Sequence, residues 1–155
     1  MLFGLSKAMN GIINMKLRTY SELSRLKTFD ERFEYLKLSG EVGKETFGFD
    51  RYLNQILYHT PIWFKIRRDV ILRDSYSDYV CDLGFIGRPI DGSILVHHMN
   101  PITVEEVRSG DEKVFDPEFL ICCSLMTHNA IHYGAENLLI KDPIERRPGD
   151  TLPWR

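Results

Sequence analysis

The sequence predicts a mixed α+β fold, on three observations. Its first half carries capped, apolar-striped helix patterns. Its middle carries two extended, β-branched stretches around a turn rich in Gly and Pro. Its last third closes on a short capped helix. At 155 residues the chain fits one domain, and an apolar fraction of 43% suffices for a real core. No apolar run approaches the ~20 residues that cross a bilayer.

The elements follow in order. Met1–Asn14, MLFGLSKAMNGIIN, has Lys7 after its first apolar residues and no small-residue cleavage site, so it reads poorly as a secretory signal. With Met15 as a second plausible start, residues 1–14 read as an extension or a loosely held arm. TFDERFEYLKLSG is a helix: Thr28 caps, Glu31 completes a capping box, Gly40 lies beyond the end, and Phe29, Phe33 and Leu36 form the stripe. EVGKETFG is a loop or a short extended piece, and DRYLNQILY a helix capped by Asp50. HTPIWFKIRRDVILRD is a stronger helix, with Thr60 as cap, Pro61 in the first turn and Ile62, Ile66 and Val70 recurring at fours. Arg67, Arg68 and Arg73 project from it. They read either as phosphate holders or as a solvated face.

YVCDLGF and SILVHH read as the two strands of a hairpin turned by GRPIDG. TVEEV is a short helix boxed by Thr103 and Glu106, and RSGDEK a surface loop. DPEFLICC begins with a cap, Asp116, and a first-turn Pro117. THNAIHYG is a helix capped by Thr127 and stopped near Gly134. The tail ERRPGDTLPWR is polar, and its Trp154 suggests that it docks back.

A net charge of -2 argues mildly against a non-specific nucleic-acid binder, without excluding a local basic patch. Cys81, Cys122 and Cys123 are an odd set whose adjacent pair would bridge only with strain; they read as reduced thiols in a cytosolic compartment.

Four of the five histidines fall in ILVHHMNPIT and THNAIHYG. His128 and His132, four apart, share one helix face, a common way to grip one metal ion. His97 and His98 are adjacent at a strand end and point to opposite faces. One can turn to the metal while the other faces a substrate. Alone, each pair is more often ordinary surface; together they point to a shared metal site. A metal with a free imidazole beside it suits phosphodiester hydrolysis. Asp82 reads either as an acceptor that polarises a histidine or as a turn residue.

This arrangement resembles the HNH endonuclease family, whose core is the ββα-metal fold. The likeness runs from about Arg67 to Gly134, through RRDVILRDSYSDYVCDLG, ILVHHMNPIT and DPEFLICCSLMTHNAIHYG. The flanks TFGFDRYLNQ and ERRPGDTLPWR are similar to those of small bacteriophage-encoded HNH proteins. The resemblance implies a nuclease core and tail over 67–155, with 15–66 as a helical support region in the same compact unit. It implies His98 as general base, and His97, His128 and His132 as ligands of one divalent metal. All-imidazole ligation favours Zn²⁺, Ni²⁺ or Mn²⁺, with Mg²⁺ supporting activity in many relatives. The implied substrate is DNA, in a host bacterial cytoplasm if phage-encoded. A homodimer would let a single site cut both strands, and a protein partner suits a catalytically impaired version.

The chain departs from the family at two places. Phe119 stands where the family carries the Asn that braces the loop of the general base; Asn100 offers itself as a substitute brace or as a turn residue before Pro101, and Asn129 lies beside the metal helix. The CxxC pairs that hold a structural zinc in many relatives correspond to Cys81, Gly84, Ser124 and Thr127, of which one is Cys, so that zinc is not expected. Cys122 and Cys123 then read as core residues, beside Leu83, Ile94, Val96, Leu120 and Ile131.

Overall fold

A computed structural model describes residues 16–38 and 51–139. It is an α+β structure. The elements are α1 (Tyr20–Leu23), α2 (Phe29–Leu36), α3 (Arg51–Tyr58), α4 (Pro61–Arg73), β1 (Ser75–Tyr76), β2 (Tyr79–Val80), β3 (Ile94–His98), α5 (Val104–Ser109), α6 (Glu112–Phe115), β4 (Leu120–Ser124) and α7 (Leu125–Tyr133). The expectations for Met1–Asn14, Gly40, EVGKETFG, Asp50 and the tail with Trp154 lie outside the described residues. No helix among the described residues is long and apolar enough to cross a membrane.

Local signals set the helices. Thr28 and Glu31 form the capping box of α2, and Thr103 and Glu106 that of α5. Phe29, Phe33 and Leu36 are buried as the stripe demanded. On α4, Thr60 accepts the Trp63 N–H and Pro61 fills the first turn, but the buried stripe is rotated. Trp63 and Val70 face the core, whereas Ile62 is 49% exposed. The aromatic ring buries more apolar area than Ile62 could and takes the inner position.

The strands are paired differently from expectation. YVCDLGF does not run as one strand. Its first residues, Tyr79–Val80, pair with Ser75–Tyr76 in a small antiparallel ribbon, and Asp82–Gly84 turn in a 3-10 coil. Leu83 and Gly84 there have φ of 53° and 59°, which an extended strand cannot contain. Ile94–His98 instead pairs antiparallel with Leu120–Ser124, His97 opposite Ile121 and His98 opposite Leu120. LICC is thus a strand. Asp116 and Pro117 start only a 3-10 turn, Pro117–Phe119, before it. RSGDEK is not one loop: Val104–Ser109 ends at Gly110, and Asp111 caps the next short helix, α6. α7 begins one turn early, with Ser124 rather than Thr127 as its cap.

The β3–β4 pair is covered on both faces, which explains why β4 reads as an unbroken apolar run. Ile121 and Cys123 join Leu23, Phe33, Leu36, Leu83 and Ile131 in one core. Leu120 and Cys122 join Trp63 and Val70 in another, against which Ile94 and Val96 pack. Helices α1 and α2 therefore share a core with β4 and α7. Gly134 ends α7 at φ 61°, and a Cβ there would come within 2.7 Å of the Leu38 carbonyl oxygen. Leu38 N–H in turn donates to Ile131 O at 2.9 Å. All three cysteines are buried free thiols.

Candidate metal centre

Strand alternation separates the neighbouring histidines. His97 lies on the β3 face that carries Leu95, toward α7; His98 lies on the face of Ile94 and Val96, toward α4. On α7 the four-residue spacing stacks His128 over His132. The three rings meet edge to face. Their centroids are 5.1 Å apart for His97–His128, 5.2 Å for His97–His132 and 4.3 Å for His128–His132.

One nitrogen from each lies within 4.8 Å of the others. Nε2 of His132 and Nε2 of His128 are 3.0 Å apart. Imidazoles at about 2.0–2.1 Å from a cation stand about 3.0–3.4 Å apart, so this pair already has ligand spacing. His97 is 4% exposed, and its Nε2 has no hydrogen-bond partner; nor has Nδ1 of His128. Orphaned buried nitrogens are costly unless something completes them. Three converging nitrogens thus fit a transition-metal cation.

Burial keeps these rings neutral. His97 is held well below the usual histidine range by desolvation first, then by the His128, His132 and His98 charges. His128 is lowered to about 4 by desolvation and by His132. The exposed Asn129 opposes that shift but leaves Nδ1 of His128 without a bond. Desolvation also lowers His132. Neutral imidazoles present lone pairs, the form a cation needs.

His98 stands apart from the triad. Its ring stacks on Trp63 with centroids 5.5 Å apart and planes at 20°. Nε2 of His98 meets the Val114 carbonyl oxygen at 3.0 Å. A neutral ring donating there carries its free lone pair on Nδ1. The residue is half-buried, yet its ring is hemmed in, and desolvation lowers its pKa to about 4 against the Val114 bond and the Glu106 charge. It borders a cavity of about 70 Å³ walled by Leu17, Asn100, Ile102, Glu106, Lys113 and Phe119. Phe119 therefore occupies the wall beside His98.

The supporting residues each take a definite place. Arg73 is not a free phosphate holder. It pairs with Asp74 at 2.9 Å, donates to the Pro117 and Leu120 carbonyls and lies over Tyr20. Arg67 donates to Ile94 O at 3.2 Å; Arg68 is exposed, with its Nε 3.9 Å from the Asp69 carboxylate. Asp82 polarises no histidine: it accepts from Ser124 N and Oγ and from Thr127 Oγ1, tying down the start of α7. Asn100 acts as a clamp. Its Oδ1 accepts from Arg18 N and its Nδ2 donates to Arg18 O, both at 2.8 Å.

The sequence reading missed the residues around His98. Trp63 stacks on it, Val114 holds it through a backbone atom and Lys113 shares its cavity. A carbonyl leaves no side-chain signal, and the other two sit on separate helices. Comparison with protein-family models, with curated proteins and with solved structures found no match, so what this chain does is argued from its own geometry.

Proposed function

We propose that this chain is a metal-dependent endonuclease that hydrolyses DNA phosphodiester bonds at the histidine centre, with the ββα-metal arrangement of the HNH family. One observation carries the reading: His97 from the strand and His128 and His132 from one helix face bring three neutral imidazoles together, with a buried orphan nitrogen among them. A divalent cation held there would act as a Lewis acid on the phosphodiester and its leaving oxygen. His98 takes the proton of the attacking water on Nδ1, while Val114 and Trp63 fix its tautomer and plane. Supercoiled plasmid incubated with Mn²⁺, Ni²⁺, Zn²⁺ or Mg²⁺ should be nicked by the parent and spared by His98→Ala and His128→Ala. Variants that nick as fast as the parent would overturn the assignment.

A second reading has its own support. Phe119 lines the His98 cavity where the family carries an amide, and burial holds His98 to about 4, a weak base at neutral pH. These features suit a catalytically impaired module that binds metal and holds DNA or a protein partner. Stoichiometric metal with no cleavage under any of the four cations would select it.

A further inference from the structure

Arg67 and Arg73 are engaged inside the fold and the exposed Arg68 lies 3.9 Å from Asp69, whereas an anionic substrate at His98 calls for a cation beside that ring. The wall of the His98 cavity supplies one. Leu17, Ile102 and Phe119 are among its apolar lining residues, and Asn100, Glu106 and Lys113 are polar ones. Asn100 has both ends of its amide bonded to Arg18. Glu106 has Oε2 bonded to Thr103 N at 2.7 Å in the capping box. Lys113 is exposed and makes no ion pair among the described residues.

We propose that Lys113 is the residue that holds a nucleic-acid phosphate beside His98, an assignment that rests on the hydrolase reading above. The two are coupled through four residues of backbone. Helix α6, Glu112–Phe115, is fastened at its start by Asp111, whose Oδ1 accepts the Lys113 N–H at 2.9 Å. Its Val114 is fully buried with Leu57 and Ile102, and the Val114 carbonyl meets Nε2 of His98 at 3.0 Å. The residue that positions the imidazole thus directly follows the one that carries the ammonium. An oxygen gripped by Lys113 is placed relative to His98 by a single rigid piece. A lysine suits a non-bridging phosphate oxygen, because its head is a compact charge with three donors. The apolar lining residues limit water and strengthen that attraction.

The test uses the full chain with Mn²⁺ and a short fluorescent DNA duplex, titrated over a series of salt concentrations. Lys113→Ala should weaken binding roughly tenfold and lower the log–log salt slope by about one unit. Lys113→Arg should restore most of both. Cation binding, followed by calorimetry, should be the same in all three proteins. Equal affinity and slope in the parent and Lys113→Ala would overturn the proposal, as would a parent that binds no DNA. Cleavage is read separately. A Lys113-dependent slope without any cutting keeps the phosphate contact and removes the hydrolase reading. Cutting and binding that ignore Lys113 do the reverse.

Discussion

Helix α7 borders two polar clusters, and they differ in how far they complete themselves. At its start the Asp82 carboxylate accepts from Ser124 N at 3.1 Å, from Ser124 Oγ at 3.1 Å and from Thr127 Oγ1 at 2.6 Å. Further along, the histidine cluster leaves Nε2 of His97 and Nδ1 of His128 without partners. The first cluster closes on itself and needs nothing more. The second is finished only by something added. In a low-dielectric interior that contrast separates architecture from a binding site more sharply than residue type does. In the closed cluster, hydroxyls and one carboxylate join the turn at residues 81–84 to the head of the helix.

The contrast can be broken most forcefully by supplying the cation. Zn²⁺ or Ni²⁺ at about a thousand times its Kd should raise the unfolding free energy by about 4 kcal/mol. Urea titrations would show the gain in the parent and its loss in His128→Ala. A parent indifferent to every cation would mean that the open cluster is not a ligand set.

A paired substitution sharpens the same point, with a smaller effect. Asp82→Asn should cost about 1–3 kcal/mol, since it strips acceptor capacity from a buried network. His97→Phe should stabilise the metal-free protein by about 1 kcal/mol, because it removes an unsatisfied nitrogen and keeps an aromatic of similar shape. Both are read from urea midpoints in chelator. Two destabilisations of equal size would erase the distinction between the clusters.

The smallest effect is that of pH on the metal-free protein. The four rings titrate below their unfolded value of 6.5. The unfolded chain therefore takes up protons first, and stability, complete well above pH 6.5, falls as pH drops through 6.5 toward about 4. At pH 6.5 the loss for His98 alone is about 0.4 kcal/mol. Urea midpoints at pH 8 and 6.5 would register it. Midpoints that rise on acidification would place the rings among groups that favour their charged form.

What was legible in the sequence was local. Thr28 with Glu31, and Thr103 with Glu106, announce two helix starts within four residues each. His128 and His132 reveal themselves through one helical turn. The errors came from partners far along the chain. Ile94 pairs with Ser124, thirty positions on, whereas a reading by proximity gave its strand to YVCDLGF. LICC is a short apolar run, which periodicity alone cannot divide between strand and helix. Arg73 looks free until the Pro117 and Leu120 carbonyls arrive to occupy it.

One small feature reaches into how the molecule assembles. The Asn100 amide mates with the main chain of Arg18, 82 positions away, as one strand mates with another. The bend that follows His98 is therefore sealed only when the front of the chain returns across most of the described length. Closing so wide a loop carries an entropic cost, so the corner behind the proposed catalytic base depends on a contact made across the fold. A shortened version that began after residue 19 would leave that corner unsealed, however well its strands and final helix formed.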